Sequence, residues 1–186
     1  MSSLARGSLL VIAVAMIAGC SAAAPTPTPT PPPPVLNGVM EGLGYVLVPD
    51  HLPGDFQLFR ATYNRDTYSA DLRYATLANH QIWLSYPRSL SLHAGAPRPD
   101  DAISQVEVHG KMAYLLRGAG VSIRNPDGTS AGRAKWDYDL MTFLFFDYHL
   151  SEDETVPVML AAAREPREWI SEAELIRVAE SLKLLS

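Results

Sequence analysis

From Tyr45 to Ala163 apolar side chains recur mostly at every second position, the period of a strand with one buried face. Tyr45-Val46-Leu47-Val48 is a short apolar run closed by Pro49, and Leu52-Pro53-Gly54-Asp55 reads as a turn. Phe56 to Asn64 and Tyr68 to Thr76 form a strand pair joined by Arg65-Asp66-Thr67, with Ala70, Leu72 and Tyr74 on one face of the second strand. Gln81 to Tyr86 sets Ile82, Leu84 and Tyr86 against Gln81, Trp83 and Ser85, and Pro87 ends it. After a loop from Arg88 to about Asp101, Val106-Glu107-Val108 and Met112 to Leu116 flank a hairpin turn at His109-Gly110-Lys111, where glycine can take a positive φ. A polar loop is expected from Asn125 to about Arg133, then strands over Lys135 to Tyr148 and Val156 to Ala163, separated by the acidic turn Ser151 to Glu154. The period then changes. Ser171-Glu172-Ala173-Glu174 reads as a capping box, and Leu175, Ile176, Ala179 and Leu182 follow at helical spacing. These elements predict an α+β domain: a curved, mostly antiparallel sheet of seven or eight strands with a C-terminal amphipathic helix on one face.

The first segment of the chain has no such period. Arg6 is the one charged residue before Cys20, and the apolar run Leu9 to Ala18 is ten residues long. A helix of that length rises only about 15 Å, half the thickness of a bilayer core, which suits a signal-peptide core better than a membrane span. The run ends in Ile17-Ala18-Gly19-Cys20. This resembles the lipobox of bacterial lipoproteins, in which small residues admit the segment to a peptidase and the cysteine thiol takes a diacylglyceryl group. The resemblance implies a signal peptide over 1–19, lipid on Cys20, and an extracytoplasmic protein anchored to a cell-envelope membrane. Pro25 to Pro34 alternates proline and threonine before four prolines in a row, so 20–34 reads as the lipidated cysteine and a stiff, extended tether of about 30 Å. Residues 35–186 are left as the single folded domain.

Short motifs within that domain resemble a family of domains of unknown function found in bacterial lipoproteins and in extracytoplasmic parts of sigma-factor regulators. They are Gly44 to Phe56 (GYVLVPDHLPGDF), Val106 to Tyr114 with its Gly-Lys hairpin, Trp136-Asp137-Tyr138, and Glu174 to Leu182. His109 stands where that family usually has Asn. The resemblance implies a likeness to periplasmic lipoprotein carriers, whose curved sheet and helices enclose an apolar cavity. It thereby gives meaning to Lys135 to Tyr148, whose second half is apolar on both faces. A strand buried on both sides needs cover for each. Met141, Phe143 and Phe145 are accordingly candidates to line a pocket for an apolar ligand between sheet and helix, against the simpler reading that they are packed core.

Composition narrows the function classes. The 186 residues carry 15 basic and 20 acidic side chains, and loss of Arg6 with the signal leaves the rest at a net charge of −6, which excludes a nucleic-acid backbone as a natural partner. One cysteine excludes an internal disulfide and any thiolate cluster. Seven of the fifteen prolines belong to the tether, so the domain itself is not proline-rich. Asp137 and Asp139 share a strand face, a spacing that permits acid and base work, but Arg133 and Lys135 beside them favour a solvated, ion-paired edge. His51, His80, His93, His109 and His149 are scattered without the i, i+4 pairing of a helical metal site, and no nucleophile elbow, phosphate loop or dinucleotide fingerprint is present. The expectation is a monomeric, noncatalytic lipoprotein without cofactor or metal, bound to a membrane through its lipid, that recognises a protein or lipophilic ligand.

Overall fold

In the computed structural model, which describes residues 33–88, 98–163 and 170–186, five leucines from five adjacent strands stand in one row across a sheet. They are Leu72, Leu84, Leu160, Leu144 and Leu115, all at most 1 % exposed. Burial of each is worth about 2 kcal/mol relative to exposure, so this row is the spine of the core. The strands that carry it belong to a seven-stranded antiparallel sheet built from β2 (Gln57–Asn64), β3 (Ser69–Ala75), β4 (Gln81–Tyr86), β5 (Ile103–Val108), β6 (Lys111–Arg124), β7 (Ser130–His149) and β8 (Thr155–Ala163). Their order is β2-β3-β4-β8-β7-β6-β5. The α+β expectation stands: the sheet has seven strands, and among the described residues two more strands form a pair of their own.

The other two strands, β1 (Val46–Pro49) and β9 (Leu182–Leu185), form a separate antiparallel pair in the register Val46↔Leu185 to Pro49↔Leu182. Together with helices α1 (Asn37–Leu43) and α2 (Glu172–Glu180) they cover the leucine face. Ser171 caps α2 as its sequence predicts, its Oγ accepting from the amide of Glu174 at 3.1 Å. The Glu174 carboxylate is turned instead to His51 and to Arg177. Leu175, Val178 and Ala179 are the buried stripe. Leu182 is not part of it: the helix ends at Glu180, and Leu182 opens β9, drawn out of the helical pattern by pairing with β1. α1 follows a 3-10 turn at Pro34–Leu36 and ends at Gly44, whose φ of +80° lets its amide return to the carbonyl of Met40 at 2.8 Å.

The polar loop expected over Asn125 to Arg133 is a tight turn. The Asn125 amide donates to the Thr129 carbonyl at 2.8 Å, and β7 starts at Ser130. β6 and β7 therefore run on past their neighbours as a two-stranded arm, since β5 pairs only as far as Ile103↔Leu116 and β8 as far as Met141↔Ala163. At the root of the arm the register slips, from Arg117↔Thr142 to Ala119↔Asp137. Gly118 sits in that slip at φ +88°, where an added Cβ would lie 2.5 Å from the carbonyl oxygen of Asp137. Trp136, anchored by its indole N–H on the Arg117 carbonyl at 3.0 Å, packs onto the second face of the sheet.

Candidate functional site

Alternation along β7 decides where the predicted pocket residues go. Leu144 and Phe146 point to the helices, and the space there is occupied by Val158, Leu160, Leu175, Val178 and Ala179. Phe143 and Phe145 point the opposite way. A cavity between sheet and helix lined by Met141, Phe143 and Phe145 is therefore not what this register builds, because residues 141, 143 and 145 fall on the odd face while α2 covers the even one.

On that second face Phe143 and Phe145 stack at 6.1 Å between ring centroids and join Leu116 and Ala102, with Ile103, Tyr114, Trp136 and Met159 packed around them. Met141 lies in mid-strand where the pairing with β8 ends, half-buried, outside this cluster. Towards β3 the face turns polar: the Arg73 guanidinium lies 5.9 Å from the Trp83 ring, and Ser85 bonds the Asp71 carboxylate. Beside Phe145, a groove of about 160 Å³ opens between Arg88, Met112, Tyr114, Asp147 and Pro157. Met112 is 61 % exposed at its rim.

A larger cleft, about 500 Å³, lies where α1 meets the β2–β3 hairpin. Its walls are Gly38, Glu41 and Gly42 of the helix and Tyr63, Arg65 and Tyr68 of the hairpin. Gly42 is required here, because an added Cβ would fall 2.3 Å from the Tyr63 ring, which lies flat on the helix backbone. The hairpin turn is held by Asn64, whose Oδ1 accepts the amides of Asp66 at 2.9 Å and Thr67 at 3.3 Å. Tyr68 closes the turn at φ +48° and is 69 % exposed.

The histidines and carboxylates are spread out. His51 bonds Glu174, and its backbone amide donates to Ser181 Oγ at 3.0 Å. That brings Ser, His and Glu together, but the serine hydroxyl meets the His51 backbone and donates to the Val178 carbonyl at 2.8 Å, so nothing activates it as a nucleophile. His109 places Nε2 3.2 Å from the Ala179 carbonyl at the end of α2 and sets its ring edge-on to Tyr148. His149 bonds Lys111. Asp137 accepts the amide of Asp139 at 3.1 Å and faces Lys135 at 3.8 Å, a local ion-paired edge. Among the described residues, no group of three His, Cys, Asp or Glu side chains is placed to hold a metal ion. Cys20 and His93 lie outside the described residues. No described helix is long and apolar enough to cross a membrane. The chain matches no protein-family model, no curated protein and no solved structure.

Proposed function

We propose that this chain is an extracytoplasmic lipoprotein, held to a cell-envelope membrane by lipid on Cys20, and that its domain is a noncatalytic binding or sensing module. The observation that carries the proposal is the sequence from Arg6 to Cys20. One positive charge precedes a ten-residue apolar core, and the chain's one cysteine follows Ile17-Ala18-Gly19. Two or three acyl chains at about 0.8 kcal/mol per buried methylene give firm anchoring, where one gives only marginal attachment. The net negative charge of the remainder gives no electrostatic reason to adhere to anionic lipid, so the anchor has to do the holding. The test is Cys20→Ser in the producing cell, with metabolic palmitate labelling and membrane fractionation after an alkaline wash. Loss of label and release from membranes are expected. A variant that still sediments with washed membranes, or a wild type that takes up no label, sinks the proposal.

A second reading, recognition of a lipophilic group, is favoured by one arrangement: the stacked Phe143 and Phe145 beside the groove that Met112 and Tyr114 border. At about 160 Å³ that groove is smaller than the 300–1,000 Å³ of ordinary small-molecule sites, so it suits one ring or a short acyl segment and not an enclosed lipid. Titration with a fluorescent fatty acid tests it. Saturable binding that Met112→Asp weakens supports the reading, and no saturable signal removes it.

A further inference from the structure

The α1–hairpin cleft has the makings of a ligand site that neither the lipid anchor nor the aromatic face uses. Four of its lining residues carry polar groups: Tyr63 and Tyr68 a hydroxyl each, Glu41 a carboxylate and Arg65 a guanidinium. Among the described residues none of the four is engaged with another protein group, so both donors and acceptors are left for a ligand. The walls are also fixed before anything binds. Gly42 lets Tyr63 lie against the helix with one ring face covered, and the Asn64 side chain locks the turn that carries Arg65 and Tyr68.

Tyr68 is the telling residue. Its left-handed φ is a position where hairpin turns use glycine or asparagine, and a bulky aromatic is an outlier there. It is 69 % exposed, so its own packing does not repay the backbone strain. Residues held in sparsely populated backbone regions cluster at active sites and ligand clamps. What Tyr63 and Tyr68 present here is a pair of phenol rings, each an apolar face with a polar edge, beside one carboxylate and one guanidinium. The charges of the lining cancel, so a strongly ionic ligand gains from one wall and loses at the other. A ring with C–H faces for stacking and hydroxyls around its rim satisfies all four groups together. At about 500 Å³ the cleft is within the range of small-ligand sites and open enough to take a chain end.

We propose that the cleft between α1 and the β2–β3 hairpin binds a neutral oligosaccharide, stacked on Tyr68 and Tyr63 and hydrogen-bonded by Glu41 and Arg65. The proposal does not rest on lipidation at Cys20, so its test does not depend on the anchor. The full chain, in a detergent without a sugar headgroup, is titrated calorimetrically with neutral tetrasaccharides of β-linked N-acetylglucosamine, glucose and mannose, and with tetra-alanine as a peptide control. Saturable binding to at least one tetrasaccharide is expected. Tyr68→Asn is expected to weaken it at least tenfold while Tm stays level or rises, because asparagine accepts the left-handed backbone; Arg65→Ala is expected to weaken it with no change in Tm. No binding to any tetrasaccharide, binding that Tyr68→Asn leaves intact, or preference for the peptide overturns the proposal.

Discussion

The Tyr86 hydroxyl accepts the backbone amide of Leu47 at 2.9 Å, tying the central sheet to the small β1–β9 pair that covers it. On the same face of the next strand, Tyr74 is equally buried but its hydroxyl has no hydrogen-bond partner among the described residues. The two tyrosines therefore predict opposite outcomes. Tyr86→Phe leaves a buried amide unpaired and is expected to cost about 1–3 kcal/mol, whereas Tyr74→Phe removes an unsatisfied group and is expected to be neutral or stabilising by about 1 kcal/mol. Urea denaturation of the two variants checks the sign.

Burial, the largest cause in each case, raises the ionisation of both phenols above the ordinary value near 10. Between that value and the raised one, the unfolded chain has lost the tyrosyl protons and the folded chain keeps them. Stability contributed by the neutral phenols is thus fully present below about pH 10 and falls as pH rises beyond it, by about 1.4 kcal/mol per pH unit for each group. Unfolding free energies measured from pH 8 to 11.5 are expected to bend downward near pH 10. The double variant Tyr74→Phe, Tyr86→Phe is expected to flatten the bend; an unchanged curve contradicts the assignment.

Gly118 is expected to tolerate no side chain. Its left-handed backbone and the 2.5 Å approach of the Asp137 carbonyl to an added Cβ put both strain and a clash with main chain into Gly118→Ala. A loss of at least about 1–3 kcal/mol follows, read by thermal denaturation, and the Trp136 fluorescence environment is expected to change with it. Gly54→Ala, also at positive φ but with open space around the added Cβ, serves as the milder control.

Arg117 reaches from β6 to the first turn of α2, where its guanidinium donates to both Glu172 oxygens at 2.5 and 2.7 Å. With both side chains about one-third exposed, solvent screening holds the pair to about 0.5–1 kcal/mol. Glu172→Gln is expected to cost that much at low salt and less in 1 M salt. A loss independent of ionic strength would point to packing of the arginine stem instead.

Much of the sheet was legible because alternation is a local property. Gln81–Tyr86 has the same bounds in sequence and structure, and the His109-Gly110 turn stands where the glycine placed it, both residues at positive φ. What failed depended on distant partners. Leu182 continues the helical spacing of Leu175 and Ala179, and only β1, far back in the chain, makes it a strand. α1 is weakly signalled because Gly38 and Gly42 lower helix propensity, although Leu36, Val39, Met40 and Leu43 stand at helical spacing before Gly44. The hairpin cleft was hidden for the same reason. Tyr63 and Tyr68 read as strand residues until α1 is laid across them. The face that Phe143 and Phe145 occupy is set by the register of β7 on β8, and local spacing shows only that they share it.

Of the elements that cover the core, β1 comes early and β9 last, with the paired residues Val46 and Leu185 about 140 positions apart. During synthesis β1 therefore has no partner until Leu182–Leu185 have emerged, after every strand of the seven-stranded sheet. The leucine row can assemble earlier, but its cover cannot close until that long loop is closed. The pairing of β9 with β1 is the step that seals this layer.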